Sequence, residues 1–382
     1  MKLVMISGNP LQETFGGVEE HSYHLLHALS HIDDLKIHFI TYGEDDAVFE
    51  RDNIAIHCFR RSSVNKIFYP FVIPYGVFRI MQEVKKINPD VVHFQGTHPL
   101  YSLAAVLCQR KYPTILTVHG IITREFDFHP DANPLAKHFS VYTEQFALTS
   151  LENIIVVAPQ IGEIVKTMTK ANIFVIPNGI DPNIVQEVAP LSLDRDNVIL
   201  FVGNLVKLKG VANLIHAVSL IKTEIPDVCL LVAGSGPQEN ELKDLVNTLL
   251  LQDNVKFLGF ITGETKYSYF KSADVLAVPS LWESLPIVIL EGMACGKPVV
   301  ASNVGGIPYL IHDAENGYLV TPGAVEELAE KICSLLRDRP LREQMGRKNL
   351  ERVRELTWDK IADMTCASYE HVMVGDGVQR CE

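Results

Sequence analysis

The sequence predicts an α/β protein of two domains, each built on a parallel sheet covered by helices on both faces, and three observations carry that prediction. Short runs nearly continuous in Val, Ile and Leu, such as KLVMISG, PTILTVHG and NVILFVGN, alternate with longer stretches of helical apolar spacing. That is how parallel strands buried on both faces, and the helices that cover them, read in a sequence. The alternation runs from the N-terminus to IPNGID at 176–181 and restarts at residue 197. With 382 residues and 47% apolar content, the chain holds enough material for two ordinary domain cores.

KLVMISG at residues 2–8 is a compact apolar run that reads as the first strand. The loop behind it ends at Gly16 and Gly17, after which Val18, Leu25, Leu26 and Leu29 recur at helical spacing. Paired glycines between a strand and a helix allow close approach of a ligand and leave the first helical amides for an anion or a hydroxyl. Glycine turns are also common without a ligand, and there is no GxGxxG here. Strands follow near Leu35–Thr41 and Ile54–Phe59, then a basic, aromatic segment and a helix ending near Lys86. PDVVHFQG supplies a strand over Asp90–Phe94, a helix is expected over Leu100–Arg110, and PTILTVHG gives a strand ending at His119 and Gly120. A polar segment at 121–134, a helical stretch, the strand NIIVVA at 153–158, a short helix and NIFVIPNGID at 172–181 close this half.

Residues 182–197 contain prolines and polar residues with little periodicity, so they read as the connection between domains. NVILFVGN at 197–204 is the next strand, and the turn LVKLKG brings Lys207 and Lys209 to the start of a helix. VCLLVAGSGPQE gives a strand and a glycine turn at Gly234 and Gly236, and NVKFLGF and ADVLAVPS are further strands. They lead into PSLWESLPIVILEGMACGKPVVAS at 279–302, and from 323 onward the pattern is helical until GDGVQRCE, which reads as frayed.

The formal charge of −12 argues against non-specific binding to nucleic acid. A local exception spans residues 60–86, where Arg60, Arg61, Lys66, Arg79, Lys85 and Lys86 face the single acid Glu83 and enclose KIFYPFVIPYGVFRI. It reads either as a helix and loop with solvated bases or as a surface for an anionic membrane or a lipid-linked substrate. Seven scattered cysteines without CxxC or metal spacing read as the free thiols of a cytosolic protein. The N-terminal apolar run is too short for a signal peptide, and no run approaches eighteen uncharged apolar residues. Any membrane contact is therefore expected to be peripheral.

Chemistry concentrates in the stretch 279–302. Glu283 lies in a polar segment after a strand, and Glu291 lies in the apolar helical run IVILEGMAC. An ionised acid in such a run is costly unless paired, whereas a helix-surface glutamate would carry no message. Loops at the strand ends are where open α/β sheets hold ligands. His119 ends a strand in this way, and reads either as a hydrogen-bonded loop residue or as a neutral ring donating to a substrate oxygen. His93 and His21 read as structural first. The turn after NVILFVGN can offer amides and a lysine to a diphosphate, with a plain surface lysine as the alternative. It lacks the GxxxxGK[ST] of an ATPase loop.

The ordered set of motifs resembles a large family of retaining nucleotide-sugar glycosyltransferases, family 4 or glycosyl transferases group 1. The motifs are GGVEEH, the strand-ending His119, IPNGID, VGNLVKLKG at 202–210, AGSGP at 233–237, VGGIPYLI at 304–311, and two glutamates separated by seven residues ahead of Gly296, Pro298, Val299 and Val300. The resemblance implies the GT-B architecture, two Rossmann-like domains with parallel sheets facing across a cleft. Its expected boundaries are an acceptor-side domain over 1–185, a donor domain over 196–355, and a C-terminal helix over 356–382 crossing back to the first domain. In that helix Trp358 and Tyr369 are expected to pack rather than bind.

The resemblance also assigns roles. Glu283 with Ser284 and Leu285 would contact hydroxyls of the donor sugar, Glu291 the ribose, and Lys209 the diphosphate, near Gly203, Asn204 and Gly234. Gly16 and Gly17 would approach the diphosphate, and His119 the sugar and reacting carbon. The expected activity is retaining transfer of a hexose-type sugar from a UDP- or GDP-linked donor to a hydroxyl of a glycan, lipid or small molecule. Front-face attack is expected, with His119, Glu283 and Lys209 as the catalytic set and neither metal nor further cofactor. The expected location is cytoplasmic, with peripheral contact at the inner membrane surface. Two positions depart from the family pattern: Asn204 stands where an arginine is usual, and Tyr309 where a glutamate is common. A nucleotide-sugar epimerase and a non-catalytic nucleotide-sugar-binding protein are the alternatives; glycoside hydrolysis would need a second, suitably spaced carboxylate.

Overall fold

The computed structural model describes residues 1–8, 16–60, 69–125 and 133–376. The chain forms two compact units, one made of Met1–Gly179 together with the chain from Trp358 onward, the other of Ile180–Thr357.

The first unit contains strands β1 (Lys2–Ile6), β2 (Lys36–Gly43), β3 (Ala47–Arg51), β4 (Ile54–Arg60), β5 (Val91–Gln95), β6 (Thr114–Val118), β7 (Asn153–Val156) and β8 (Asn172–Val175). They lie side by side in the order β3-β4-β2-β1-β5-β6-β7-β8. Each neighbouring pair is parallel except β3 with β4, which is antiparallel. The edge strand β3 is absent from the sequence expectation. All five of its residues are exposed, so it lacks the alternation that marks a half-buried strand. Its signal is the two-residue turn Asp52-Asn53, both residues left-handed at φ 52° and 63°, between the paired Arg51 and Ile54; this is hairpin chemistry.

The helix Trp358–Asp376 belongs to this unit. Its Trp358, Ile361, Ala362, Tyr369 and Val372 join Leu3, Met5, Phe39 and Val91 in one core. A Cβ on Gly179 would sit 2.7 Å from the Trp358 indole, so only a glycine lets the chain pass that ring.

The second unit contains β9 (Val198–Val202), β10 (Cys229–Ala233), β11 (Val255–Gly259), β12 (Val275–Val278), β13 (Val299–Ser302) and β14 (Gly317–Val320). They are all parallel, in the order β11-β10-β9-β12-β13-β14. This is the Rossmann order 3-2-1-4-5-6, which reverses direction between its first and fourth strands and opens a ligand crevice beyond their C-terminal ends. Here the reversal falls between β9 and β12, whose loops carry Lys209 and Glu283. Residues 182–197, expected as a connection, pack on this unit. Pro182–Gln186 is a short helix, Lys271 Nζ donates to Val188 O at 2.6 Å, and Leu191 N donates to Ser272 Oγ at 2.6 Å.

Candidate active site

The loop after β9 turns through one 3-10 turn, Lys207–Lys209, and leaves through Gly210 at φ 67°. A Cβ on Gly210 would lie 2.1 Å from the carbonyl oxygen of Pro279, so glycine is required both by the left-handed backbone and by the contact. The close approach ties the two loops together, with Leu281 N donating to Leu208 O at 2.7 Å. In consequence Lys209 Nζ meets Glu283 Oε1 at 2.5 Å, with the side chains 25% and 11% exposed. Ser280 Oγ donates to the same carboxylate oxygen at 2.9 Å. The Glu283 backbone is held from the far side by Gly305, at φ 50°, where a Cβ would fall 1.6 Å from Glu283 O. An ammonium has three N–H donors. One of those on Lys209 is engaged by Glu283, so the lysine can bridge that carboxylate and an anion.

Gly203, Asn204 and Gly234 come together at the ends of β9 and β10. Gly203 N donates to Ala233 O at 3.0 Å, and Gly234, at φ 140°, packs so closely that a Cβ would lie 1.9 Å from Gly203 O. Asn204 is exposed. Ser284 and Leu285 are buried, and the Ser284 hydroxyl has no hydrogen-bond partner among the described residues. Tyr309, at the other departure from the family pattern, packs under Arg352, whose guanidinium carbon lies 5.7 Å from the ring centroid.

Glu291 is buried in the helix Ile287–Ala294. The sequence reading left its charge to be explained by a ribose; the fold supplies an explanation of its own. Lys266 Nζ lies 2.5 Å from Glu291 Oε1, and the Tyr267 hydroxyl donates to it at 3.2 Å.

In the first unit, His119 follows β6 and its Nε2 lies 2.7 Å from Gln95 Oε1. The His21 ring stands edge-on at 4.5 Å between centroids, and His21 Nδ1 lies 2.9 Å from Asn178 Oδ1. Burial, reinforced by His21 and His93, holds the pKa of His119 well below the usual imidazole value. Burial also pulls His21 down to about 4, against the raising effect of Asn178, and His93 down to about 3. Three neutral rings at ordinary pH contribute hydrogen bonds rather than charge. Gly16 is the extended residue before the helix Gly17–Leu29, and a Cβ on it would meet Glu19 Oε2 at 2.7 Å. A Cβ on Gly17 would meet nothing within 4 Å among the described residues, so packing alone does not call for glycine there.

Of the basic patch, 61–68 lie outside the described residues, as do 126–132 of the polar segment. Arg79 is paired with Asp46 at 2.9 Å and lies 4.2 Å over the Phe59 ring, and Lys86 is paired with Glu83 at 2.8 Å. Tyr75 and Phe78 on the same helix are exposed. Among the described residues no three His, Cys, Asp or Glu side chains are grouped to hold a metal ion, and no helix is long and apolar enough to cross a membrane.

Residues 15–184 match the family described as Glycosyltransferase Family 4, and residues 184–352 match glycosyl transferases group 1. The chain belongs to this glycosyltransferase family. An uncharacterized glycosyltransferase of Methanocaldococcus jannaschii is 29% identical, over 98% of this chain and 99% of its own length. The N-acetyl-alpha-D-glucosaminyl L-malate synthase of Bacillus anthracis is 26% identical over 88% of each. Among solved structures, sucrose-phosphate synthase from Thermosynechococcus elongatus superposes with a TM-score of 0.85 at 24% identity, covering 98% of this chain and 99% of that one. Anabaena HepE in complex with UDP and glucose superposes at 0.75 with 18% identity, covering 97% and 100%. These likenesses show the GT-B fold, with two Rossmann-like domains.

For a glycosyltransferase of this fold, four residues that touch the candidates are absent from the sequence expectation: Ser280 on Glu283, Lys266 and Tyr267 on Glu291, and Gln95 on His119. Ser280 lies within the motif itself. Lys266, in the helical segment GETKYSYFKS, and Gln95, at the end of an apolar strand, carry no local mark; only the packing of the elements reveals their partners.

Proposed function

We propose that this glycosyltransferase is a retaining hexosyltransferase that uses a UDP- or GDP-linked sugar and an acceptor hydroxyl on a glycan, lipid or small molecule. The observation that carries the reading is the Lys209–Glu283 pair at the point where the strand order reverses. Lys209 supplies N–H donors to the diphosphate, and Glu283 supplies an acceptor oxygen to sugar hydroxyls, helped by the Ser284 hydroxyl. Gly203, Asn204 and Gly234 bring backbone to the phosphates, Glu291 serves the ribose, and Gly16, Gly17 and His119 are assigned to ligand contacts. In HepE the solved complexes contain UDP, glucose and UDP-glucose; that chemistry supports the donor class here by likeness of fold.

In the proposed step an acceptor hydroxyl oxygen bonds to the anomeric carbon on the face from which the diphosphate leaves. The bond from that carbon to the phosphate oxygen breaks, its electron pair goes to the leaving diphosphate, and the hydroxyl proton passes to a phosphate oxygen. Lys209 stabilises the charge that develops on the leaving group.

The test is calorimetry with UDP, GDP, UDP-glucose, UDP-N-acetylglucosamine and GDP-mannose on the wild type and on Lys209→Ala. One nucleotide series should bind, and the variant should bind it about tenfold to a hundredfold more weakly, the worth of a charge-assisted hydrogen bond. Failure of every donor to bind, or equal affinity in the variant, refutes the reading. With the donor known, NMR of the product reads the anomeric configuration, and incubation without acceptor exposes an epimerase. Co-sedimentation with anionic vesicles at low salt tests the peripheral membrane contact, and no binding removes it.

A further inference from the structure

The second nitrogen of His119, Nδ1, makes no hydrogen bond among the described residues, and what Nε2 bonds to determines whether Nδ1 donates or accepts. Nε2 faces the Gln95 side-chain amide, which is fully buried. The amide's other end lies 3.9 Å from the Met5 sulfur and 3.3 Å from His93 Nε2. A thioether sulfur has no proton to give and only accepts, so the end facing Met5 is the NH2 group and the oxygen faces His119. The same NH2 group makes His93 Nε2 an acceptor, which it also is for the Thr117 hydroxyl at 2.7 Å. The His93 proton then sits on Nδ1, 2.6 Å from the Tyr369 hydroxyl oxygen. The bonds run one way: His119 Nε2–H to Gln95, Gln95 N–H to His93, His93 Nδ1–H to Tyr369. The reversed chain would turn the amide oxygen onto the Met5 sulfur, where neither atom carries a proton.

We infer that Gln95 is a positioning residue which, held by His93 and Tyr369, fixes His119 in its Nε2–H form, so that Nδ1 accepts a hydrogen bond from a donor-sugar hydroxyl. Of the two readings the sequence offers for this ring, a hydrogen-bonded loop residue or a donor to a substrate oxygen, the hydrogen-bond chain reverses the sense of the second. The device reaches from the C-terminal helix, through two fully buried side chains, to a residue at a strand end. A neutral imidazole with its proton committed elsewhere discriminates for a hydroxyl, which can donate, against an ether or carbonyl oxygen, which cannot. The inference rests on the reading of His119 as a sugar contact, and the experiment separates the two.

Two-bond proton–nitrogen NMR correlation on the full chain labelled with 15N-histidine reports which ring nitrogen carries the proton, the His119 signals being identified by their loss in His119→Gln. The wild type should show His119 protonated on Nε2. Gln95→Leu, which removes the acceptor, should convert it to a mixture of both forms. Gln95→Glu, which keeps an acceptor oxygen, should retain Nε2–H, and a His119 that loses its Nε2 proton in folded Gln95→Glu overturns the role even if Gln95→Leu does not fold. Protonation on Nδ1 in the wild type, or an unchanged tautomer in folded Gln95→Leu, overturns the positioning role. In calorimetry, Gln95→Leu should lose about tenfold in affinity for UDP-glucose or GDP-mannose and nothing for UDP or GDP. A tautomer that shifts while sugar-nucleotide affinity stays constant overturns the sugar contact of His119 and leaves the role of Gln95 on the ring intact.

Discussion

Replacing Lys266 with methionine removes the ammonium but keeps most of the length and apolar stem of the side chain, leaving Glu291 inside the second unit with its principal counter-charge gone. The two side chains are 15% and 4% exposed and in contact at 2.5 Å. Breaking a buried pair from one side costs roughly 3–5 kcal/mol, because the remaining charge is left desolvated. The partial exposure of Lys266 and the Tyr267 hydroxyl still on Glu291 put the expectation at the low end, about 3 kcal/mol. For a unit of this size that corresponds to a fall in melting temperature of roughly 6–12 °C. Thermal unfolding followed by Trp282 fluorescence in a Trp358→Phe background reads the second unit, since the other tryptophan, Trp358, belongs to the first. In the Lys266→Met, Glu291→Gln double variant the orphaned charge is absent too, and at least half of the lost stability should return. A Lys266→Met protein that melts within about 2 °C of the wild type refutes the idea that this lysine makes the buried acid tolerable. The same double variant isolates the ligand role. If Glu291 also serves a ribose, nucleotide affinity should stay low when stability has recovered.

Gly305→Ala should displace the Glu283 backbone, because the new Cβ would fall 1.6 Å from Glu283 O on a φ of 50°; the expected loss is above 2 kcal/mol in melting experiments, together with weakened donor binding. The first unit should lose stability in acid. His21 is lowered by burial to about 4, so below the unfolded value of 6.5 the unfolded chain binds a proton that the folded one refuses, and stability falls with pH between about 6.5 and 4. His21→Gln should flatten that slope, read from Trp358 fluorescence in a Trp282→Phe background; an unchanged slope refutes the assignment. Ser284→Ala should cost little or nothing in melting temperature, since its hydroxyl has no partner among the described residues, yet should weaken a sugar nucleotide relative to the bare nucleotide.

What could be read in advance followed the range over which each interaction acts along the chain. Parallel strands buried on both faces announce themselves by local composition, and so the alternation of β9 to β12 with helices was legible, whereas β14 (Gly317–Val320) was not read as a strand and β3, with every residue exposed, offered only its Asp-Asn turn. The Lys209–Glu283 contact joins residues 74 apart, a separation no pattern bridges. It was nonetheless within reach, because both loops lie at strand ends and the strand order that brings β9 beside β12 makes those ends neighbours. Glu291 was legible as a problem and not as a solution: an acid in an apolar helix must have a partner, but the partner stands on a neighbouring helix whose sequence looks like any polar surface. The His93–Tyr369 bond spans 276 residues and was beyond reach for the same reason. Charge placed against hydrophobic periodicity therefore marks where a tertiary partner must exist, and topology decides whether that partner is a ligand, as we propose for Glu283, or first of all the protein itself, as at Glu291.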